Sequence, residues 1–145
     1  MKEKKFEKES DRKREAETLR ILLEGKPLIF NQDEELSTSD AEILNEKSLD
    51  VVAICEVKTM FKDIGDTDFV RISLRKIYNC QNKSIKKGLP FLLVWRFNNG
   101  IGHIWLKNLK GSVSWGGRKN PREGSVWDRE LMIYVQQSNL TLINF

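Results

Sequence analysis

The 145-residue sequence predicts an α/β domain, a mixed central sheet with flanking helices. Three observations carry that expectation. Ala16, Leu19, Leu22 and Leu23 recur at the spacing of one helix face, and Gly25 and Pro27 follow as a stop. Two apolar runs rich in strand formers, Leu49–Thr59 and Phe91–Phe97, lie further on. Between them Ile72, Leu74, Ile77 and Tyr78 are mixed with basic residues over Arg71–Ile85 and end at Gly88-Leu89-Pro90, which predicts a second helix. A strand, a helix and a strand in that order form a crossover, so the two apolar runs are expected to lie parallel in one sheet.

The remaining elements follow in order. Met1 to Glu9 alternates Lys and Glu and is expected to be a flexible lead-in, leaving residues 10–145 as one domain, with Ser10 or Asp11 capping the first helix. Leu28–Phe30 predicts a short strand, and the polar run to Ser39 a loop. Ala41–Leu44, a turn at Asn45–Ser48 and Leu49–Thr59 predict a hairpin whose second strand is buried on both faces. Met60–Phe69 contains Asp63, Asp66, Asp68 and Gly65 and predicts a loop. Phe91–Phe97 and Ile101–Leu106 flank the turn Asn98-Asn99-Gly100 as a second hairpin, with Trp95 and Trp105 expected in the core. Val113–Trp115 predicts a strand, Gly116–Gly124 a basic loop and Leu131–Val135 a strand, while Leu140–Ile143 fits either a strand or a helical turn.

Composition excludes several function classes. No apolar stretch approaches the ~20 residues that cross a bilayer, and the charged start lacks the apolar segment of a secretory signal. A soluble, cytoplasmic protein with no membrane partner is the expectation. Two cysteines without a C-x-x-C spacing and one histidine do not make a Cys/His zinc site, and no G-x-S-x-G elbow is present. Charge is segregated along the chain. Between Arg71 and Arg122 there are twelve Lys or Arg residues and no acid, whereas Asn31–Asp50 holds seven acidic residues against Lys47. A one-signed basic segment in a folding composition points to a polyanionic partner.

The acidic candidates have a strand context. Glu56-Val57-Lys58 ends the apolar run, and period-two geometry puts Glu56 and Lys58 on one face with Cys55 and Val57 on the other. Charges at the end of a buried strand need a partner or a use, since an unpaired buried charge costs as much as a domain's stability margin. Asp40 opens the preceding strand, and the hairpin turn brings it beside Glu56. Two carboxylates with an ammonium two residues on form a site for a hard, oxygen-seeking divalent cation such as Mg²⁺ or Mn²⁺. Such an ion polarises a phosphodiester and acidifies a bound water, and Lys58 would orient that water or offset developing charge.

With those residues in view, the chain resembles the PD-(D/E)XK nuclease superfamily, and in particular its small phage and prophage members. Asp40, Glu56-Val57-Lys58 and the order helix, hairpin, crossover helix, strand match its restriction-endonuclease-like core over Ser10 to about Phe97. Ile72-Ser73-Leu74-Arg75-Lys76, the strand Leu89–Trp95, Gly116-Gly117-Arg118 and Asp128-Arg129-Glu130 extend the likeness. Ser39 stands before Asp40 where the superfamily pattern has Pro, and Asn120 stands where an acid is expected. The resemblance implies Asp40 and Glu56 as metal ligands and Lys58 as the catalytic lysine. It also implies a first-helix glutamate as a further ligand or its support; Glu15, which shares a helix face with Leu19 and Leu22, is preferred, with Glu17 the alternative. It implies a metal-dependent nuclease acting on DNA in a bacterial or phage-infected cell, as a homodimer on structured substrates such as four-way junctions. Arg75, Lys76, Lys83, Lys107, Arg118, Lys119 and Arg122 then become candidates for phosphate contacts. Arg118 has a competing role, holding its loop through Asp128 or Glu130. The competing function is an inactive nucleic-acid-binding or protein-interaction module, such as a phage-encoded inhibitor, that keeps the fold.

Overall fold

The apolar run that opens at Val51 becomes the middle of the molecule because both of its faces find cover. In the computed structural model, which describes residues 2–32, 40–117 and 129–145, the described residues form two α-helices and nine strands. They are α1 (Lys2–Leu23), β1 (Leu28–Gln32), β2 (Asp40–Asn45), β3 (Val51–Thr59), β4 (Phe69–Ser73) and α2 (Leu74–Lys87), followed by β5 (Phe91–Phe97), β6 (Gly100–Trp105), β7 (Ser112–Gly117), β8 (Arg129–Gln136) and β9 (Thr141–Asn144). One sheet has the order β1-β2-β3-β5-β6-β9 and a smaller one the order β4-β8-β7. β3 and β5 run parallel, as the crossover predicts, and the other pairings are antiparallel.

The strand period sorts the core into two layers. Ala53, Cys55 and Val57 of β3 pack with Leu92 and Val94 of β5 against Leu19, Leu22 and Leu23 of α1. Ile54 of β3 and Phe91, Leu93, Trp95 and Phe97 of β5 face Val70 and Ile72 of β4, Cys80 of α2 and Val135 of β8. The large sheet is therefore sandwiched between α1 on one side and α2 with the small sheet on the other, an arrangement that buries both faces of a parallel pair. Arg96 is the polar exception on β5. It is buried, donates to Thr18 Oγ1 at 3.3 Å and the Phe97 carbonyl at 2.9 Å, and pairs with Glu17 at 3.2 Å, with its guanidinium over the Phe145 ring.

Several expectations are corrected. α1 starts at Lys2, so the expected lead-in is helical in backbone and Ser10 and Asp11 lie inside the helix; Lys and Glu are good helix formers and nothing in that segment breaks the pattern. Residues 69–73, expected as loop and helix, form β4, where Val70 and Ile72 turn inward between exposed Phe69 and Arg71. The helix starts after Ser73, whose hydroxyl accepts from Lys76 N at 3.1 Å, and ends at Gly88 in the left-handed region, φ 64°. Among the described residues there are two sheets rather than one, because β4 pairs with the distant β8 in the register Val70↔Val135 and Ile72↔Ile133. Trp95 is in the core, but Trp105 is 37% exposed at the end of β6. The ambiguity at Leu140–Ile143 resolves into a 3-10 turn, Gln137–Asn139, and the edge strand β9. Arg118, Lys119 and Arg122 lie outside the described residues. Among the described residues no helix is long and apolar enough to cross a membrane.

Candidate active site

The hairpin sets the site. Asn45 Oδ1 accepts from Lys47 N at 2.9 Å and Ser48 N at 3.1 Å, Leu49 takes φ 63°, and a register shift between Ile43 and Leu44 leaves Asp40 directly opposite Glu56. The Asp40 backbone thus stands beside the carboxylate end of β3, and its side chain lies outside the described residues. Across β3 on the other edge, Glu56 is in register with Leu93 and Lys58 with Trp95.

A cleft of about 480 Å³ opens over this end of the sheet, lined by Glu56 and Lys58 of β3, Asp11 and Glu15 of α1, Ser73 and Lys76 at the start of α2, Phe61, and Glu130 and Met132 of β8. Glu56 is 5% exposed. Its Oε1 is 2.8 Å from Lys76 Nζ, and its Oε2 accepts from Cys80 Sγ at 3.4 Å. Both oxygens are therefore engaged by α2, which is how a carboxylate is tolerated in the core. Lys58 Nζ donates to the Arg71 carbonyl at 3.0 Å. Burial first, then the neighbouring cations Arg71 and Lys76, holds Lys58 below the usual lysine range. Glu15 is pushed up to about 7 by burial and by the negative charges of Asp11 and Glu56. Burial is the largest of these causes, and the smaller effect of Glu56 brings acidic groups of α1 and β3 within electrostatic reach of one another.

Of the residues singled out from sequence, Glu15, Glu56, Lys58 and Lys76 meet in this cleft. Glu17 does not; it faces away and pairs with Arg96. Arg75 lies at the rim, 3.3 Å from Glu130. Lys83 is further along α2, and Lys107 lies in the turn after β6 beside a different groove formed by α2 and Trp105. Sequence reasoning missed Cys80 and Asp11. The signal for Cys80 was available in part, since Lys76 and Cys80 are four apart on one helix face, but the approach of that face to Glu56 is a tertiary fact.

The oxygen donors fit a hard divalent cation in chemistry and in charge. Among the described residues, however, no three His, Cys, Asp or Glu side chains are gathered closely enough to hold one. The fit therefore rests on Glu56 and Glu15, with the Asp40 backbone opposite Glu56.

In a comparison with family models, the family described as "Phage putative PDDEXK endonuclease" matches residues 1–143. The chain belongs to this family. The match spans α1, the hairpin that positions Glu56 and Lys58, and the strands that close the molecule, so the phage PDDEXK assignment covers the whole cleft. No curated protein and no solved structure matches the chain.

Proposed function

We propose that this chain is a metal-dependent endonuclease of DNA whose reacting centre is the end of β3. The observation that carries the proposal is the buried Glu56 carboxylate, two residues before Lys58 on the same strand face, opening with Glu15 into one cleft. Glu56, Asp40 and Glu15 would hold Mg²⁺ or Mn²⁺, and the ion would supply Lewis-acid polarisation of the phosphodiester and a more acidic bound water. The chain's own groups do the rest. Lys58, held below its ordinary range, gives up a proton more readily than an exposed lysine and would orient the attacking water on leaving the Arg71 carbonyl. Lys76 carries positive charge beside Glu56 and would offset the negative charge that builds on the phosphoryl oxygens. Arg75, Lys83 and Lys107, with Arg118, Lys119 and Arg122, would track the phosphates outside the cleft, and a homodimer would suit a branched substrate.

The second reading, a binding module without cleavage, is favoured by the Lys76–Glu56 contact, because an ammonium already neutralises the carboxylate that should bind metal. One experiment separates the two. Supercoiled, linear, single-stranded and four-way-junction DNA, and RNA, are incubated with Mg²⁺ or with a chelator, using the parent, Lys58→Ala, Asp40→Asn and Glu56→Gln. The nuclease reading expects metal-dependent cleavage of DNA that falls by about 10²- to 10⁴-fold in Lys58→Ala while binding in chelator persists. It also expects Mn²⁺ to raise the melting temperature of the parent but not of Glu56→Gln. Binding without cleavage, and no metal-dependent melting shift, would leave the module.

A further inference from the structure

Three residues beyond Lys58, at the mouth of the cleft, an aromatic ring stands in solvent. Phe61 lines the cleft together with Glu56 and Lys58 and is 76% exposed. Its neighbours in the loop behave differently. Met60 and Ile64 pack against the core layer formed by Trp95 and Phe97, so the loop buries apolar residues on either side and leaves this one out. Exposure of a whole phenyl ring forgoes the burial that aromatic residues ordinarily contribute.

Nor does the loop lack anchors. Met60 N donates to the Arg96 carbonyl at 2.7 Å, Asn98 N to the Lys62 carbonyl at 2.9 Å, Ile64 N to Asn99 Oδ1 at 2.8 Å and Gly65 N to Gln137 Oε1 at 3.2 Å. Asp66 Oδ2 accepts from Asp63 N at 2.9 Å, which turns those acids into a local brace. Arg14 of α1 donates to Asn98 Oδ1 at 3.3 Å and lays its guanidinium over the Phe61 ring, 5.3 Å from the centroid. The ring is thus held from α1, from the β5–β6 turn and from its own loop, with a cation on its face. A braced, cation-backed aromatic at the mouth of a cleft that also holds Lys58 and Lys76 has the chemistry of a nucleobase stacking platform, with a fixed charge for the adjoining phosphate.

We infer that Phe61 and Arg14 receive an unpaired base next to the phosphate held at Lys58, so that the enzyme acts where DNA is single-stranded, frayed or branched. The inference rests on the nuclease reading of the cleft and deepens it by naming the substrate class. A base inside a duplex has both faces covered by its neighbours and reaches a protein ring after leaving the stack. The backbone from Lys58 to Phe61 spans at most about 10 Å, so a base on the ring belongs to a nucleotide within a few steps of the reacting phosphate. Because the platform is braced before DNA arrives, its use costs little ordering at the moment of binding.

The test is binding in chelator, which does not require cleavage. Fluorescence anisotropy with a single strand, a blunt duplex and a four-way junction is compared for the parent, Phe61→Ala, Phe61→Leu and Phe61→Trp. Phe61→Ala and Phe61→Leu should weaken single-strand and junction binding by about ten-fold, the loss of one stacked base, and leave the blunt duplex unchanged; Phe61→Trp should restore the preference. A 2-aminopurine stepped along the strand should be quenched at one position by the parent and the Trp variant and not by the Ala variant. Melting temperatures should match across the set, since the ring is exposed. Equal binding of all DNAs by parent and Phe61→Ala, an equal loss on the duplex, or no single-strand binding by the parent would overturn the inference. Failure of the nuclease reading looks different, as stacking-dependent binding with no cleavage when Mg²⁺ or Mn²⁺ is restored.

Discussion

Glu15 and Glu56 show how much one acidic side chain depends on its setting. Glu56 is buried and answered by Lys76 and Cys80, whereas Glu15 faces Asp11 and Glu56, and burial with those charges raises it to about 7. The sign of the resulting pH dependence follows from linkage. The unfolded chain releases the Glu15 proton near 4.5 and the folded chain near 7, so this group's contribution to stability is full below 4.5 and is lost as pH rises through 7. In chelator, Glu15→Gln should therefore gain melting temperature relative to the parent at pH 8 and show little gain at pH 4. An equal difference at both pH values would mean that Glu15 is neither buried nor crowded by the other carboxyls. Glu56 and Lys58 were legible as a pair from strand periodicity alone, and Glu15 from its position on a helix face shared with Leu19 and Leu22. The partners that hold Glu56 in place were not, because a contact across 24 residues of sequence leaves no local pattern.

At the scale of the element, α2 does the positioning, and its ends are set by two residues. Ser73 Oγ accepts from the backbone N–H of Lys76, which fixes the first turn from which Lys76 reaches Glu56. Gly88 closes the helix in the left-handed region and donates to the Ile85 carbonyl at 3.3 Å. Ser73→Ala should lower stability by about 1 kcal/mol in urea unfolding, as loss of an N-cap does, and Gly88→Ala should lower it by about 1 kcal/mol through the cost of a Cβ at positive φ. No change in either variant would place the helix ends elsewhere. The stop at Gly88-Leu89-Pro90 was plain in the sequence. The start was not, because Phe69–Ser73 has two inward apolar residues followed by a helix whose first apolar residues continue the run. Periodicity cannot divide so short a strand from the helix that follows it.

For the whole molecule the decisive feature is that the cleft lies where three bodies meet: the end of the parallel β3–β5 pair, the start of α2 and the face of α1. Its lining sets Lys58 and Lys76 among Asp11, Glu15, Glu56 and Glu130, while the chain carries a net charge of +4 and no acid between Arg71 and Arg122. If the block from Arg71 onward follows DNA, affinity measured in chelator should fall by about 10³ between roughly 50 and 200 mM salt, the slope expected for about six phosphate contacts. A flat salt dependence would show that the block is a solvated face. Arg96 already departs from that block, because it is withdrawn into the pairing with Glu17 and Thr18 that ties α1 to β5. The sequence by itself determined the α/β class, the parallel β3–β5 pair, the residues of β3 that face each core layer and the pair Glu56 and Lys58. These follow from strand period, helix period and crossover order, which are local or topological rules. The tertiary structure decided the division into two sheets, the withdrawal of Glu17 into a pair with Arg96, the capture of Glu56 by Lys76 and Cys80, and the exposed ring of Phe61. Those depend on which distant surfaces come together, and sequence spacing carries no record of an approach between segments that are brought near by the packing of others.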